Sequence, residues 1–162
     1  MSAATPSQTV GPFFSFGLVN ANLVVAPGDT APVRVEGWVL DGAGAGVPDA
    51  VVEVLTPAGF GRCLTEADGS YRFVVSKPSP LRHADGTVEA PHLDMSVFAR
   101  GLLQRVATRV YFPDEDANAA DPVLTSIAAD DVRATLVAQP TDGALRFDIH
   151  LQGPQETAFF AL

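Results

Sequence analysis

The sequence predicts an all-β fold, an antiparallel β-sandwich with one short helix near residues 130–138. About seven to nine short segments of alternating or β-branched residues recur along the chain, at spacings of roughly ten residues. Turns rich in glycine, proline and aspartate separate these segments. With 162 residues, of which 47% are hydrophobic, the chain is long enough to bury the core of a single domain.

The first 32 residues do not fit this pattern. We therefore divide the chain into an extended N-terminal arm, residues 1–32, and a single β-sandwich domain, residues 33–162. The arm contains four prolines, yet its segment 10–18 (VGPFFSFGL) is too aromatic for a solvated tail. An apolar arm outside a strand is expected to cover either its own domain or a neighbouring chain, and the residues leave both possibilities open.

Alternation with a period of two marks the strands in order. They are expected at 33–40, 50–55, 62–65, 70–76, 91–101, 102–112 and 144–151. The segments 62–65 and 70–76 flank Asp68-Gly69, which favours a β-hairpin between them. The helix over 130–138 begins with two aspartates, which suit a helix N-terminus, and Pro140 ends it.

The charge balance excludes some partners. The chain has 19 acidic and 10 basic side chains, a net charge of −9, so nucleic acid and anionic membrane surfaces are not expected to bind it. The one cysteine, Cys63, cannot form an internal disulfide, which suits the cytoplasm. The N-terminus lacks the basic and apolar regions of a signal peptide, and no apolar run approaches the ~20 residues of a membrane span. We expect a soluble, cytoplasmic protein.

The segment 91–101 carries the one local pair with metal-ligand spacing. His92 and Asp94 lie two apart on a predicted strand, so their side chains project from the same face. Two ligands are a weak indication of a metal site, and the other histidines, His83 and His150, are expected at the surface. Cys63 lies in a strand-like segment and is expected in the core. Composition and spacing alone name no function.

Several segments in order resemble one family. They are 5–13 (TPSQTVGPF), 35–42 (VEGWVLDG), 59–73 (GFGRCLTEADGSYRF), 96–101 (SVFARG), 109–113 (RVYFP), 121–123 (DPV) and 145–153 (LRFDIHLQG). Together they are similar to the intradiol ring-cleaving dioxygenases, and they span nearly the whole chain. The resemblance implies a β-sandwich, in agreement with the strand pattern.

The resemblance also implies a ferric ion, which the catalytic chains of the family bind with two tyrosines and two histidines. This sequence departs from that ligand set. His92 and Asp94 align with the two histidine positions, so one histidine is replaced by aspartate. Leu81 follows the Lys-Pro segment that precedes one tyrosine ligand in the family, and the two tyrosines present, Tyr71 and Tyr111, match no ligand position. We therefore expect no metal site in this chain.

Loss of the iron ligands implies the non-iron-binding α chain of a heteromeric member of the family. Its expected partner is a homologous iron-binding β subunit in an (αβ)n hetero-oligomer, which holds Fe(III). The implied reaction is the cleavage of 3,4-dihydroxybenzoate with O₂ to 3-carboxy-cis,cis-muconate, a step of aromatic catabolism in the β-ketoadipate pathway. This chain alone is expected to be inactive and to contain no catalytic residue.

Two parts of the chain would then border the partner's pocket. The resemblance places Thr9, Gly11, Pro12 and Phe13 of the arm there, with Phe13 where the family often has tyrosine. It also places Arg100 there, whose guanidinium would pair with a carboxylate of the substrate or of the β chain. The resemblance does not distinguish between these two partners.

Two other functions are compatible with the sequence. The first is a non-enzymatic β-sandwich module that binds a partner or small ligand through the aromatic arm. The second is a stand-alone metal enzyme that uses His92, Asp94 and a third ligand such as His150. Metal analysis of the purified chain would distinguish the second from the rest.

Overall fold

A computed structural model of the chain describes residues 5–11 and 13–161. Its strands are β1 Leu23–Val24, β2 Val33–Leu40, β3 Val51–Thr56, β4 Gly59–Leu64, β5 Ser70–Val75, β6 Leu81–Arg82, β7 Val88–Glu89, β8 His92–Phe98, β9 Val106–Tyr111, β10 Gln139–Thr141, β11 Ala144–Arg146 and β12 Ile149–His150. Its helices are α1 Pro122–Ser126 and α2 Asp130–Ala134, with 3₁₀ turns at Phe14–Gly17 and Asp116–Ala120.

Two sheets form the body of the protein and confirm the predicted β-sandwich. The first sheet has the order β1-β5-β2-β11-β10, and β12 also pairs with β2. The second has the order β4-β3-β8-β9, and β6 pairs with β7 in a small ribbon. The second sheet is antiparallel throughout, whereas β1, β11 and β12 join the first sheet in parallel.

The core lies between these two sheets. Apolar side chains of β2 and β5 meet those of β3, β8 and β9 in one cluster. Its largest fully buried members include Phe73, Phe112, Leu93 and Met95. A smaller cluster around Tyr111, Leu124 and Leu136 packs α1 and the segment after α2 against the end of β9. Because side chains alternate along a strand, the polar residues of β8 face away from the core.

The predicted hairpin at 62–76 is wrong. The Asp68-Gly69 turn exists, since Gly69 N–H donates to Glu66 O at 2.9 Å and Glu66 N–H donates to Ser70 O at 2.8 Å. Its two strands then part: β4 pairs with β3 in the second sheet and β5 pairs with β2 in the first. A local turn signal does not report which strand becomes the neighbour.

The predicted helix over 130–138 forms, but it ends at Ala134. The edge of β9 competes for the following backbone, because Tyr111 N–H donates to Leu136 O at 2.8 Å and Ala138 N–H donates to Tyr111 O at 3.0 Å. A second helix, α1, follows the acidic loop, where the sequence pattern indicated none. Asp121 caps it by accepting hydrogen bonds from the backbone N–H groups of Val123 and Leu124.

The segment 20–24 joins the two sheets at their open edge. Ala21 bridges Arg62 of β4, and Asn20 Oδ1 accepts from Leu64 N–H at 2.8 Å. The next residues form β1, which pairs with β5 of the other sheet. Among the described residues, no helix is long and apolar enough to cross a membrane.

Candidate functional site

A glycine turn presents Arg100 at the end of β8. Leu102 N–H donates to Ala99 O at 3.2 Å, and Gly101, the third residue of the turn, has φ +91°. This is the backbone of a type II turn, which favours glycine at that position. Ala99 is buried and anchors the turn, while 53% of the Arg100 side chain is exposed. The turn therefore holds Arg100 out at a corner of the sandwich.

The N-terminal arm meets this turn. Gly101 N–H donates to Thr9 Oγ1 at 2.7 Å, a contact between residues 92 positions apart. The structure thus brings two of the predicted site residues, Thr9 and Arg100, to the same corner. Their positions in the sequence alone do not place them close together. Their role at a substrate pocket stays a prediction.

The other predicted site residues of the arm that the structure describes, Gly11 and Phe13, are exposed. Gly11 has no atom within 4 Å of the position that a Cβ would take. Phe13 is 71% exposed and Phe16 is 81% exposed, and their rings lie 5.3 Å apart. Pro12 lies outside the described residues. Two exposed aromatic rings on one short segment form a surface that is typical of binding sites for other proteins.

The sequence pattern missed the partner of Arg100 within its own chain. Asp49, in the loop between β2 and β3, places Oδ2 3.2 Å from Arg100 Nε. The Asp49 side chain is only 16% exposed. No local motif indicates this pair, because its members lie 51 positions apart and a loop supplies the carboxylate.

His92 and Asp94 lie in a network of ion pairs on the outer face of β8. Arg109, opposite Asp94 on β9, directs Nη1 to Glu89 Oε2 at 2.8 Å and Nε to Asp94 Oδ1 at 3.1 Å. The His92 ring is nearly buried, its Nδ1 lies 2.7 Å from Ala90 O, and its Nε2 lies 3.5 Å from Glu89 Oε2. A guanidinium therefore lies beside the same oxygens that a metal would need.

The tyrosines do not complete a ferric site either. The Tyr71 hydroxyl donates to Phe147 O at 2.6 Å, and burial raises the pKa of Tyr71 well above its ordinary value. The Tyr111 hydroxyl donates to Asp121 Oδ1 at 3.1 Å, and burial raises its pKa also. Both environments therefore disfavour the ionised tyrosinate.

The remaining candidate donors are dispersed. His150 lies on β12 in the first sheet, whereas His92 lies on β8 in the second. Within residues 5–11 and 13–161, no group of three or more His, Cys, Asp and Glu side chains is arranged to hold a metal ion. The side chains present do not fit the ferric site of the family, and His150 does not complete one with His92 and Asp94.

Clefts among the described residues lie away from the corner of Arg100. One of about 690 Å³ is bordered by α2, β11 and the segment 154–157. Another of about 340 Å³ crosses the outer face of the second sheet beside Asp94, Arg105 and Arg109. Neither is lined by Thr9, Gly11, Phe13 or Arg100.

Comparison with known proteins identifies relatives over most of the chain. The chain is 42% identical to the protocatechuate 3,4-dioxygenase alpha chain of Burkholderia cepacia, with 96% of each chain covered. It is 36% identical to the corresponding alpha chain of Pseudomonas putida, with 96% of this chain and 95% of the relative covered. The beta chain of the Burkholderia cepacia enzyme is 33% identical over 77% of this chain and 66% of the relative. A scan against protein-family models finds no match.

The solved structures agree on the fold. The dioxygenase domain of a dioxygenase–carbohydrate-binding fusion from Streptomyces sp. SirexAA-E superposes with a TM-score of 0.61, covering 93% of this chain and 99% of that one. At 21% identity, this likeness concerns the fold alone.

Proposed function

We propose that this chain is the α subunit of a protocatechuate 3,4-dioxygenase. The chain belongs to the protocatechuate 3,4-dioxygenase family of intradiol ring-cleaving dioxygenases. The support is its 42% identity to an α chain over 96% of both proteins. The reaction is the cleavage of 3,4-dihydroxybenzoate by O₂ to 3-carboxy-cis,cis-muconate, in the β-ketoadipate pathway of aromatic catabolism.

The iron belongs to a β subunit. In this chain the Arg109 guanidinium contacts both Glu89 and Asp94, and its positive charge disfavours a cation at the same oxygens. A homologous β chain, related to the 33% identical β relative, supplies Fe(III), and the two chains form an (αβ)n hetero-oligomer. When bound there, the ferric ion orients the catecholate for reaction with dioxygen.

This chain contributes the mouth of the pocket. The single observation that carries this proposal is the contact of Thr9 with Gly101, which joins the arm to the turn of Arg100. From that corner Thr9 borders the partner's pocket together with Gly11 and Phe13 of the same arm, and Arg100 binds the carboxylate of the substrate. The predicted role of Pro12 falls outside the described residues. A guanidinium suits this task because its planar fork of N–H donors matches a carboxylate.

The protein works in the cytoplasm. Its one cysteine, Cys63, is a buried free thiol, and a fold stabilised without disulfides suits a reducing compartment.

Co-expression with the cognate β chain tests this function. We expect the purified complex to be burgundy, to contain one iron per αβ pair and to cleave protocatechuate, while this chain alone contains no iron and is inactive. Stoichiometric iron and cleavage by this chain alone would contradict the proposal.

The exposed rings of Phe13 and Phe16 favour one other function, a binding module without catalysis. That function predicts a stable monomer that neither binds a β chain nor changes its activity. Size-exclusion chromatography of the mixed chains, with activity measured across the elution profile, distinguishes the two.

A further inference from the structure

Asp49 lies on a loop whose backbone is held on both sides of it. The hydroxyl of the buried Thr65 donates to Val47 O at 2.8 Å and accepts from Ala50 N–H at 3.0 Å. Thr65 N–H also donates to Ala50 O at 3.0 Å. These bonds fix the chain two residues before Asp49 and one residue after it, so the carboxylate is presented from a rigid support.

The contact of Asp49 with Arg100 is asymmetric. Asp49 is 16% exposed and Arg100 is 53% exposed, so the carboxylate is the fixed member and the guanidinium reaches out from it. The closest approach is from Oδ2 to Nε, at 3.2 Å. Because a guanidinium has five N–H donors on three nitrogens, a partner at Nε leaves terminal N–H groups for a second ligand.

The other oxygen of Asp49 indicates that this arrangement is not the most stable one. Asp49 Oδ1 is buried and has no hydrogen-bond partner among the described residues. A buried acceptor without a partner destabilises the folded state. The half-exposed ion pair of Asp49 with Arg100 contributes little free energy to offset this destabilisation. Stability alone therefore does not account for an aspartate at this position.

We propose that Asp49 is a positioning residue for Arg100. It holds the guanidinium from the Nε side, so that the terminal N–H groups face the substrate carboxylate before it arrives. This inference rests on the proposed function, because it requires Arg100 at the mouth of the β-chain pocket. On this inference the carboxylate that pairs with Arg100 within the protein is Asp49 of the same chain. No carboxylate of the β chain is then needed to pair with Arg100.

Preorganisation predicts an effect on affinity rather than on chemistry. An arginine already held by its counter-charge loses less side-chain freedom when the substrate binds. Removing the charge of Asp49 should therefore raise KM for protocatechuate and leave kcat almost unchanged.

The experiment uses the αβ holoenzyme with Asp49→Asn, Arg100→Ala and the double variant. We expect Asp49→Asn to raise KM about fivefold, with kcat within about twofold of the unaltered enzyme. Arg100→Ala should raise KM at least about tenfold, because it removes a charge-assisted bond to the substrate. The double variant should equal Arg100→Ala, since Asp49 acts through Arg100.

The Arg146–Asp148 pair gives a matched control. Its side chains are 49% and 20% exposed, close to the values for Arg100 and Asp49. Asp148 lies between β11 and β12 of the first sheet, where Oδ1 accepts from Trp38 N–H at 3.3 Å. Asp148→Asn should leave KM unchanged. Asp49→Glu, which restores the charge on a longer side chain, should recover part of the affinity and guards against a folding defect in Asp49→Asn.

A pair of inhibitors separates positioning from a structural effect. In Asp49→Asn, inhibition by 4-hydroxybenzoate should weaken about fivefold, while inhibition by phenol, which lacks the carboxylate, should not change. Equal weakening of both would overturn the inference.

The outcomes separate this inference from the proposed function. A large effect of Arg100→Ala without an effect of Asp49→Asn overturns the positioning role alone. No effect of Arg100→Ala overturns the proposed role of Arg100 at the pocket, and with it this inference. An αβ mixture without activity or iron contradicts the proposed function itself.

Discussion

Gly101 shows how one backbone position serves the candidate site. Its positive φ turns the chain after β8, and its N–H donates a hydrogen bond to Thr9 Oγ1 of the arm. No atom lies within 4 Å of a Cβ added there, so a side chain would be strained by the backbone angle alone. Conformation and site therefore depend on the same residue.

Gly101→Ala is expected to lower the free energy of unfolding by about 1 kcal/mol, because alanine disfavours positive φ. The shifted turn should also raise KM of the αβ enzyme for protocatechuate. Gly143→Ala is the control, since Gly143 has φ +71° and equally open surroundings. Similar losses of stability in urea with a KM effect for Gly101 alone would support the assignment, and equal KM values would contradict it.

Cys63 gives a prediction for pH. Burial raises the pKa of its thiol, and 6% of the residue is exposed. At pH 8 iodoacetamide should react with the folded protein at least about tenfold more slowly than with the protein in guanidinium chloride, because the thiolate is the reactive form. Fast alkylation of the folded protein would contradict this burial.

The same shift predicts a loss of stability in alkali. Because the pKa of Cys63 is raised in the folded state, its contribution to stability is fully present below the unfolded value of about 8.5 and declines as the pH rises above it. Cys63→Ser, which does not titrate in this range, should remove this decline in urea unfolding measured from pH 7 to pH 10.

At the scale of elements, two loops cross closely at the end of the first sheet. A Cβ added to Gly46 would lie 1.9 Å from Asp68 O, and one added to Gly69 would lie 2.6 Å from Gly46 Cα. This crossing lies beside the turn where the chain passes from the second sheet to the first. Glycine is therefore needed at both positions for the chain to pass from β4 of the second sheet to β5 of the first beside this loop.

Gly46→Ala should accordingly destabilise the fold by about 3 kcal/mol, through a clash with backbone that cannot rotate away. Gly17→Ala is the control, since a Cβ at Gly17 meets no atom within 4 Å. Urea unfolding monitored by circular dichroism measures both. A cost below about 1 kcal/mol for Gly46→Ala would show that the loops separate easily.

The sequence was informative where the fold is local and less so where it is not. Alternation located β2, β3, β5, β8 and β9, because a half-buried strand imposes its period on the residues. The path at 66–69 was not predictable, since a hairpin and a crossing between sheets begin with the same turn. The early end of α2 depends on the edge of β9, where Tyr111 lies 25 residues before its partner Leu136.

Some residues of the candidate site could likewise be predicted from the sequence, and others could not. The resemblance placed Thr9 and Arg100 together, and the structure brings the arm to the turn of Arg100. The sequence did not indicate the role of Asp49, because its contact joins a loop to a turn residue 51 positions later in the chain. The sequence did not indicate the ion pairs of Arg109 either. The strand pattern shows His92 and Asp94, but it does not show that the Arg109 guanidinium lies between Glu89 and Asp94.

At the scale of the whole molecule, the arm leaves an apolar surface uncovered. Phe13, Phe16, Val19 and Leu23 are each more than two thirds exposed, although the protein carries a net charge of −9. A β chain is the proposed cover for this surface.

Phe16→Ala is expected to weaken association with the β chain by at least about tenfold, since a buried aromatic ring contributes strongly to an interface. The free energy of unfolding of the isolated chain should not change, because the ring is 81% exposed in it. Val132→Ala, a change at an exposed residue of α2, is the control for association. Isothermal titration calorimetry measures both, and unchanged affinity for Phe16→Ala would contradict the proposed cover.

The hydrogen bond from Gly101 to Thr9 has a consequence for synthesis on the ribosome. The arm emerges first, but its docking position is made 92 residues later, after most of both sheets. The nascent chain therefore carries Thr9 without this partner until residue 101 has been made. Although the arm is made first, its contact with Gly101 requires the turn after β8 to be in place.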